Sequence, residues 1–214
     1  MDPSIAIFAI LILILSVIVH EVSHGYAAEM LGDPTARLAG RLTLNPLPHI
    51  DPIGSVLLPA ILVLSSAGFI IGWAKPVPYN PYNLRNQRWG EAIVAGAGPG
   101  VNILIALVFG LLIRFGAGAL PPMFVELAGF VVFINILLAF FNLIPIPPLD
   151  GSKVVSAFLP YHLAQRYMSI QDFMARYGLI VSFLFIFLFI SVLWQPFSAL
   201  VNWVFSLITG MTFF

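Results

Sequence analysis

The chain has 214 residues, of which 60% are hydrophobic and only 8% are charged. A soluble domain carries roughly 25% charged residues, so this composition excludes a soluble globular protein and indicates a polytopic membrane protein embedded in the lipid bilayer. Nine Lys and Arg balance nine Asp and Glu, and this neutrality gives no support for nucleic acid as a partner. The chain has no cysteine, which excludes disulfides and thiolate metal ligands.

Charge-free apolar runs predict where the chain crosses the membrane, since a crossing helix needs about 20 mostly apolar residues. We expect an all-α polytopic membrane protein with five or six transmembrane helices, one of them broken by clustered prolines, in a single domain over residues 1–214. The predicted crossings, in chain order, are Pro3–Met30, Pro52–Ala74, Ala92–Ile113, Leu127–Leu149 and the long run Tyr177–Phe214, which Gln195-Pro196 divides.

The first predicted span carries three ionisable residues, in the string His20-Glu21-Val22-Ser23-His24. Ionisable side chains are costly inside a membrane and indicate function by default. Residues i and i+4 share a face of a helix, so both imidazoles can bind one metal ion. Two histidines with this spacing and an adjacent glutamate are typical of zinc proteases, with His20 and His24 as ligands and Glu21 as general base. Two alternatives are a polar cluster that stabilises helix packing and a zinc transporter with a similar string.

A catalytic zinc ion takes a third protein ligand, which the first helix does not supply. Ala27 and Met30 stand where the long metzincin pattern needs glycine and histidine. The best candidate is Asp150, because it follows three prolines that break the end of the fourth span, where a non-helical backbone would let its carboxylate point inward. An N-cap of the following helix explains Asp150 equally well. Rival ligands in Pro- or Gly-rich connections are Asp33, Asp51 and His49.

Taken together, these motifs resemble the site-2 protease family of intramembrane zinc metalloproteases. The resemblance covers roughly residues 16–153 in the family's order, through the segments His20–His24, Arg41–Pro46, His49–Gly54, Gly72–Pro78, Gly98–Asn102 and Asn142–Gly151. It implies that His20, His24 and Asp150 hold Zn²⁺ and that Glu21 is the catalytic acid/base. The compact arrangement resembles prokaryotic members without a PDZ or CBS domain, and so implies a prokaryotic cell membrane.

Further polar residues are candidates for holding the substrate, which must unwind locally before attack and needs partners for its freed backbone groups. The predicted substrate-binding residues are Asn142, Asn102 and His49. For the two asparagines the alternative is interhelical hydrogen bonding, and for His49 it is a structural role at the membrane interface. The segment Gly72–Pro78 is either an edge strand that pairs with an extended substrate or a rigid connection between two spans.

The sequence therefore predicts a zinc-dependent intramembrane endopeptidase that cleaves transmembrane protein substrates in regulated intramembrane proteolysis. A zinc transporter would need ionisable ligands on several adjacent spans, whereas the third, fifth and terminal spans lack acidic residues and histidines in their apolar cores. A membrane scaffold that keeps a metal site without catalysis is a third possibility, and the intact Glu21 argues against it.

Overall fold

A computed structural model describes residues 3–65, 72–116, 118–160, 162–167, 169 and 187–213. Over these residues the chain is mostly helical and contains no β-strand, which confirms the predicted all-α membrane fold. The α-helices are α1 (Pro3–Met30), α2 (Thr35–Leu38), α3 (Leu58–Leu64), α4 (Gln87–Gly116), α5 (Pro122–Asn142), α6 (Asp150–Phe158) and α7 (Trp194–Thr209). Residues 162–167 are also helical, 3-10 helices lie at Leu47–His49 and Pro81–Asn83, and π-helical segments lie at Pro52–Leu57 and Phe189–Leu193.

Within the described ranges, four helical segments are long and apolar enough to cross a bilayer. They are Ser4–Met30, Arg88–Gly116, Pro122–Asn142 and Phe189–Thr209. The first three correspond to the predicted first, third and fourth spans. In the predicted second span only a short helical stretch, Pro52–Leu64, is described before residues 66–71, which lie outside the described residues, and the chain is extended from Gly72 onward. The predicted fifth span lies largely in residues 170–186, which are also outside the described part.

Prolines set the local course of the long helices. α5 stops at Asn142, earlier than the predicted end at Leu149, because the proline-rich stretch that follows cannot continue an α-helix. Pro99 lies inside α4 and cannot donate the helical hydrogen bond to the carbonyl of Ala95. Pro196 lies in the first turn of α7, where a proline is tolerated, and the helical segment Phe189–Thr209 continues through the point at which the sequence predicted a division.

α4 is the centre of the bundle, since α1, α5, α6 and α7 all pack against it. Its C-terminal half forms an apolar core with α5 and α7, whose buried side chains are Ala106, Ile113, Ala128, Val132, Ile136, Val201 and Phe205. A smaller cluster joins Ala28 at the end of α1 to Leu84 and to Val94 of α4. The N-terminal half of α4 thereby lies against the part of α1 that carries the two histidines.

The chain is extended through Gly72–Asn80 without forming a β-ladder. Trp73 N–H donates to the Gly54 carbonyl at 3.2 Å, and Lys75 N–H donates to the His49 carbonyl at 2.9 Å. The segment is therefore bonded along one edge to the connection that follows α2. The sequence left two interpretations of Gly72–Pro78 open, an edge strand and a rigid connection. The backbone is extended, as the first predicts, and its hydrogen bonds hold it in place, as the second predicts.

Candidate metal centre

The three predicted ligands come from two helices that are far apart in the sequence. His20 and His24 lie one turn apart on α1, with their ring centroids 4.7 Å apart and edge to face, and Asp150 is the first residue of α6. Asp150 Oδ2 lies 3.1 Å from His20 Nε2 and 3.3 Å from His24 Nε2. Leu149 holds the N-cap position of α6, and Asp150 has no capping hydrogen bond. The capping alternative therefore does not describe this carboxylate.

Hydrogen bonds on the far side of each imidazole determine which ring nitrogen carries the proton. His24 Nδ1 lies 2.6 Å from the Val94 carbonyl, which can only accept, so Nδ1 is the donor. His20 Nδ1 donates in the same way to Asn102 Oδ1 at 2.6 Å. In the neutral rings both Nε2 atoms therefore have a free lone pair, and both face Asp150.

Three atoms with lone pairs thus converge: the Nε2 atoms of His20 and His24 and a carboxylate oxygen of Asp150. When both rings are neutral, none of the three carries a hydrogen to donate. All three lie within 4.8 Å of one another, and a cation between them would relieve their mutual repulsion. In a tetrahedral zinc site with ligand distances of about 2.0–2.1 Å, neighbouring ligand atoms are about 3.3–3.4 Å apart, close to the two separations from Asp150. Within the described residues no fourth His, Cys, Asp or Glu joins the group. The donor set fits a catalytic zinc ion that keeps one position free of protein ligands.

Gly98 of α4 gives the two imidazoles the space they occupy. A Cβ atom at Gly98 would lie 2.5 Å from His24 Nε2 and 2.7 Å from His20 Cε1, well inside van der Waals contact. Gly96 and Gly100 flank it, and a Cβ at either position would meet nothing within 4 Å. Of these three glycines, only Gly98 is required by the packing against the histidines.

Asn102 lies behind His20, away from any exposed surface. It is fully buried, and its Nδ2 donates to Asn135 Oδ1 at 2.7 Å, while Asn135 Nδ2 donates to Ser16 Oγ at 3.0 Å. These bonds join α1, α4 and α5 and hold the Asn102 oxygen towards His20. The prediction that Asn102 binds substrate is not supported by this placement, because the side chain has no accessible surface. The predicted alternative, interhelical hydrogen bonding, describes it.

Asn135 was not among the predicted site residues, although it is as deeply buried as Asn102. The signal was available, since it is the one polar residue in the apolar stretch between Glu126 and Asn142 of α5. Asn142 ends that helix and donates from Nδ2 to the Leu138 carbonyl at 2.9 Å. Its Oδ1 has no hydrogen-bond partner in the part of the chain that is described, so a substrate contact by Asn142 stays a prediction.

His49 is buried beneath the extended segment and does not reach the metal cluster. Its Nε2 donates to the Thr43 carbonyl at 2.9 Å, and Nδ1 lies 3.4 Å from Arg41 Nη2. Arg41 is also buried and donates from Nη2 to the Lys75 carbonyl at 2.6 Å. His49 and Arg41 therefore support the extended segment from below, and with 3% of its surface exposed His49 offers little to a substrate.

Glu21 lies beside His20 on α1 and is half-buried. Its carboxylate is not one of the clustered ligand atoms. Glu21 Oε2 accepts a hydrogen bond from the Val77 N–H at 2.9 Å, which joins α1 to the extended segment. A carboxylate next to the metal ligands, but outside their group, has the placement that a general base requires.

The two acidic residues named as rival ligands, Asp33 and Asp51, accept hydrogen bonds from groups away from the histidine cluster. Asp33 is buried and accepts hydrogen bonds from the Thr35 hydroxyl at 2.5 Å, from Asn83 Nδ2 at 2.8 Å and from Asn80 N–H at 2.7 Å. Burial raises the pKa of the Asp33 carboxyl, but these hydrogen bonds outweigh it and hold the pKa below its ordinary value. Asp51 accepts from two main-chain N–H groups at the start of the π-helical segment. Neither rival ligand reaches the cluster.

Comparison with known proteins identified several similar chains. Residues 117–189, which include Asp150, match the model described as peptidase family M50. The chain is 35% identical over 204 residues to "Putative zinc metalloprotease YwhC" of Bacillus subtilis, which covers 90% of this chain and 86% of that protein. It is 34% identical over 139 residues to "Putative zinc metalloprotease Rip2" of Mycolicibacterium smegmatis, which covers 64% of this chain and 52% of that protein. No solved structure matches significantly.

Proposed function

Because the chain belongs to peptidase family M50, the site-2 protease family that its motifs resemble, we propose that it is a zinc-dependent intramembrane endopeptidase. Its substrates are membrane-spanning proteins, and it acts in regulated intramembrane proteolysis. It works in a prokaryotic cell membrane, since the relatives named above are bacterial. Residues 1–214 act as one protease domain.

One observation carries this proposal: two neutral imidazole nitrogens and the Asp150 carboxylate converge beside a glutamate that is not a ligand. Zinc held by His20, His24 and Asp150 would supply Lewis-acid activation of a water molecule and of the scissile carbonyl. Glu21 takes the proton of the attacking water and returns a proton to the leaving amine. The Nδ1 hydrogen bonds of the two histidines keep their Nε2 atoms unprotonated and aimed at the metal position.

The extended segment supports a mode of substrate binding. Trp73 and Lys75 use both of their main-chain groups, and Val77 uses its N–H, on bonds to the rest of the protein. Alternate residues of an extended chain point their hydrogen-bonding groups to opposite edges, so Ala74 N–H, Ala74 C=O and Pro76 C=O lie on the other edge. These groups have no hydrogen-bond partner in the described part of the chain. An unwound substrate strand pairs there by main-chain hydrogen bonds, and Asn142 Oδ1 accepts from a further substrate N–H.

The experiment that tests the proposal uses purified protein in liposomes with a tagged single-span substrate. We expect Glu21→Gln to keep one zinc ion per chain and to lose cleavage by about 100-fold or more, because general acid–base catalysis contributes about 10²–10⁴-fold. Glu126→Gln is the matched control, since Glu126 is exposed near the start of α5. It should cleave like the wild type.

Equal cleavage by wild type and Glu21→Gln would overturn the proposed mechanism. The same liposomes test the transporter alternative. Zinc flux into them that depends on His20, with no cleavage of any single-span substrate, would favour transport over proteolysis.

A further inference from the structure

The extended segment delivers a single main-chain donor to Glu21. In Lys75-Pro76-Val77-Pro78 both prolines lack an N–H group, so Val77 carries the one amide hydrogen between Lys75 and Tyr79. That hydrogen points to Glu21 Oε2, with an N···O distance of 2.9 Å across 56 positions of sequence. The neighbouring prolines leave no alternative main-chain donor that could replace it.

The position of this donor is fixed by contacts that do not involve Glu21. Both main-chain groups of Lys75 are bonded, its N–H to the His49 carbonyl at 2.9 Å and its C=O to Arg41 Nη2 at 2.6 Å. Arg41 and His49 are each less than 7% exposed. Pro76 then has a fixed φ angle, which leaves its ψ angle as the one soft torsion between the Lys75 carbonyl and the Val77 amide.

The α1 side of the contact is shaped by a glycine one turn beyond Glu21. A Cβ at Gly25 would lie 2.9 Å from Val77 Cγ1, closer than real Cβ contacts come, and 3.1 Å from Ala36 Cβ, which is tighter than most of them. Gly25 therefore allows the extended segment to approach α1 closely enough for the Val77 N–H to reach Glu21. The Val77 side chain is buried in this contact, with 6% of its surface exposed.

The two oxygens of Glu21 are consequently unequal. Oε2 is held by Val77, whereas Oε1 has no hydrogen-bond partner among the residues that the structure describes. We propose that the Val77 amide, supported by Arg41 and His49, is a positioning group that fixes the Glu21 carboxylate and leaves Oε1 to take the proton of the attacking water. Glutamate is a long side chain with considerable rotamer freedom, and a fixed donor on one oxygen removes that freedom before the substrate arrives. This inference rests on the proposed protease function.

The first test removes only the amide hydrogen. Val77 is replaced by its α-hydroxy acid through nonsense suppression in cell-free translation, which puts an ester oxygen in place of the N–H and keeps the side chain. We expect kcat to fall by about 10- to 100-fold, with KM and zinc content unchanged, because the base is present but misplaced. The same suppression with valine is the control. Val77→Ala keeps the N–H and loses only packing, so it should lower kcat by less than the ester does.

The second test does not depend on measuring protease activity. Hydrogen exchange at the Val77 amide is measured by mass spectrometry on peptides that cover residues 75–79, in which the prolines leave few exchangeable positions. We expect Glu21→Ala to speed exchange at Val77 by about tenfold or more, because the acceptor is gone, and Glu21→Gln to preserve protection through its amide oxygen. Unchanged exchange in Glu21→Ala would overturn the contact.

The controls separate this inference from the proposed function. Wild-type kcat in the ester variant, together with an inactive Glu21→Gln, would overturn the positioning role and leave the protease assignment intact. Equal cleavage by wild type and Glu21→Gln would instead remove the proposed function, and the positioning role with it.

Discussion

Two aspartates of this chain, Asp33 and Asp150, show how a structural carboxylate differs from a carboxylate placed to bind a metal. Asp33 is the more buried of the two, yet both of its oxygens receive hydrogen bonds from donors supplied by three neighbours. Asp150 is partly exposed, and the polar atoms facing its Oδ2 are imidazole nitrogens whose protons lie on the opposite side of each ring. The hydrogen-bonding capacity of the Asp33 carboxylate is satisfied without a cation, whereas that of the Asp150 carboxylate is not when both imidazoles are neutral.

The difference teaches that burial alone does not identify a metal site. A carboxylate surrounded by N–H and O–H groups stabilises the fold, because every lone pair is satisfied. A carboxylate that faces other lone pairs needs a positive charge to complete it. Four substitutions, taken from the largest expected effect to the smallest, test whether this contrast holds.

The largest effect is expected from Asp150→Asn. The amide keeps the shape of the side chain but brings an N–H₂ group against the two Nε2 atoms, so that a donor replaces the metal. Zinc affinity should fall by more than about 100-fold, since loss of a ligand exceeds the roughly 10- to 100-fold cost of losing an outer hydrogen bond. Chelator competition and metal analysis on purified protein measure it. Asp33→Asn should keep zinc, and full zinc in Asp150→Asn would remove the distinction between the two aspartates.

The next largest effect is expected from Gly98→Ala, which adds a methyl group against both imidazoles. Overpacking of this kind costs about 1–3 kcal/mol, and we expect zinc affinity to fall by roughly 100-fold. Gly96→Ala and Gly100→Ala are matched controls on the same helix, because their Cβ atoms would meet nothing. Each should keep zinc and be unchanged or slightly stabilised, since alanine is the better helix former. The same loss of zinc in all three variants would point to the helix as a whole and away from the contact with the histidines.

A smaller effect is expected from Asn102→Leu. His20 would lose the acceptor for its Nδ1–H, and the proton could move to Nε2, where it would compete with the metal. Zinc affinity should fall by about tenfold. Asn142→Leu is the control, because it removes an amide of the same size that bonds only within its own helix. Unchanged zinc affinity in Asn102→Leu would show that the tautomer of His20 is fixed by something else.

Asp33→Asn should leave zinc unchanged and lower stability by about 1–3 kcal/mol, the range for a buried hydrogen-bonded group that loses its charge. The pKa of Asp33 lies below its unfolded value of about 3.9. Its ionised form therefore stabilises the fold above about pH 4, and that contribution is lost as the pH falls through the folded pKa. Denaturant unfolding in detergent at several pH values should show the difference between wild type and Asp33→Asn shrinking towards low pH. A constant difference would contradict the role of the charge.

The sequence predicted the features that depend on local spacing. The i, i+4 histidines share a face in any helix, so the pairing of His20 with His24 needed no tertiary information. The all-α membrane fold, the family resemblance and zinc as cofactor are confirmed. Asp150 was selected from several acidic residues by its proline-broken context and by the family resemblance.

Other features could not be predicted, because they depend on how the helices meet. The acceptor for His24 is the main-chain carbonyl of Val94, a group that every residue carries and that no sequence pattern marks. The Val77 donor required the extended segment to pass over Gly25, a contact between elements far apart in the sequence. The choice between the two predicted roles of Asn102 depended on tertiary structure for a similar reason, since the rotation of α4 decides whether a polar side chain faces a cavity or a neighbouring helix.

The separation of 130 positions between His20 and Asp150 also bears on how the protein is made. A nascent chain enters the bilayer with both imidazoles already exposed on its first helix, while the carboxylate that completes the set is still untranslated. Loading with metal thus awaits the insertion of α5 and the arrival of α6. The newly synthesised polypeptide therefore lacks the complete set of candidate ligands until Asp150 has been added.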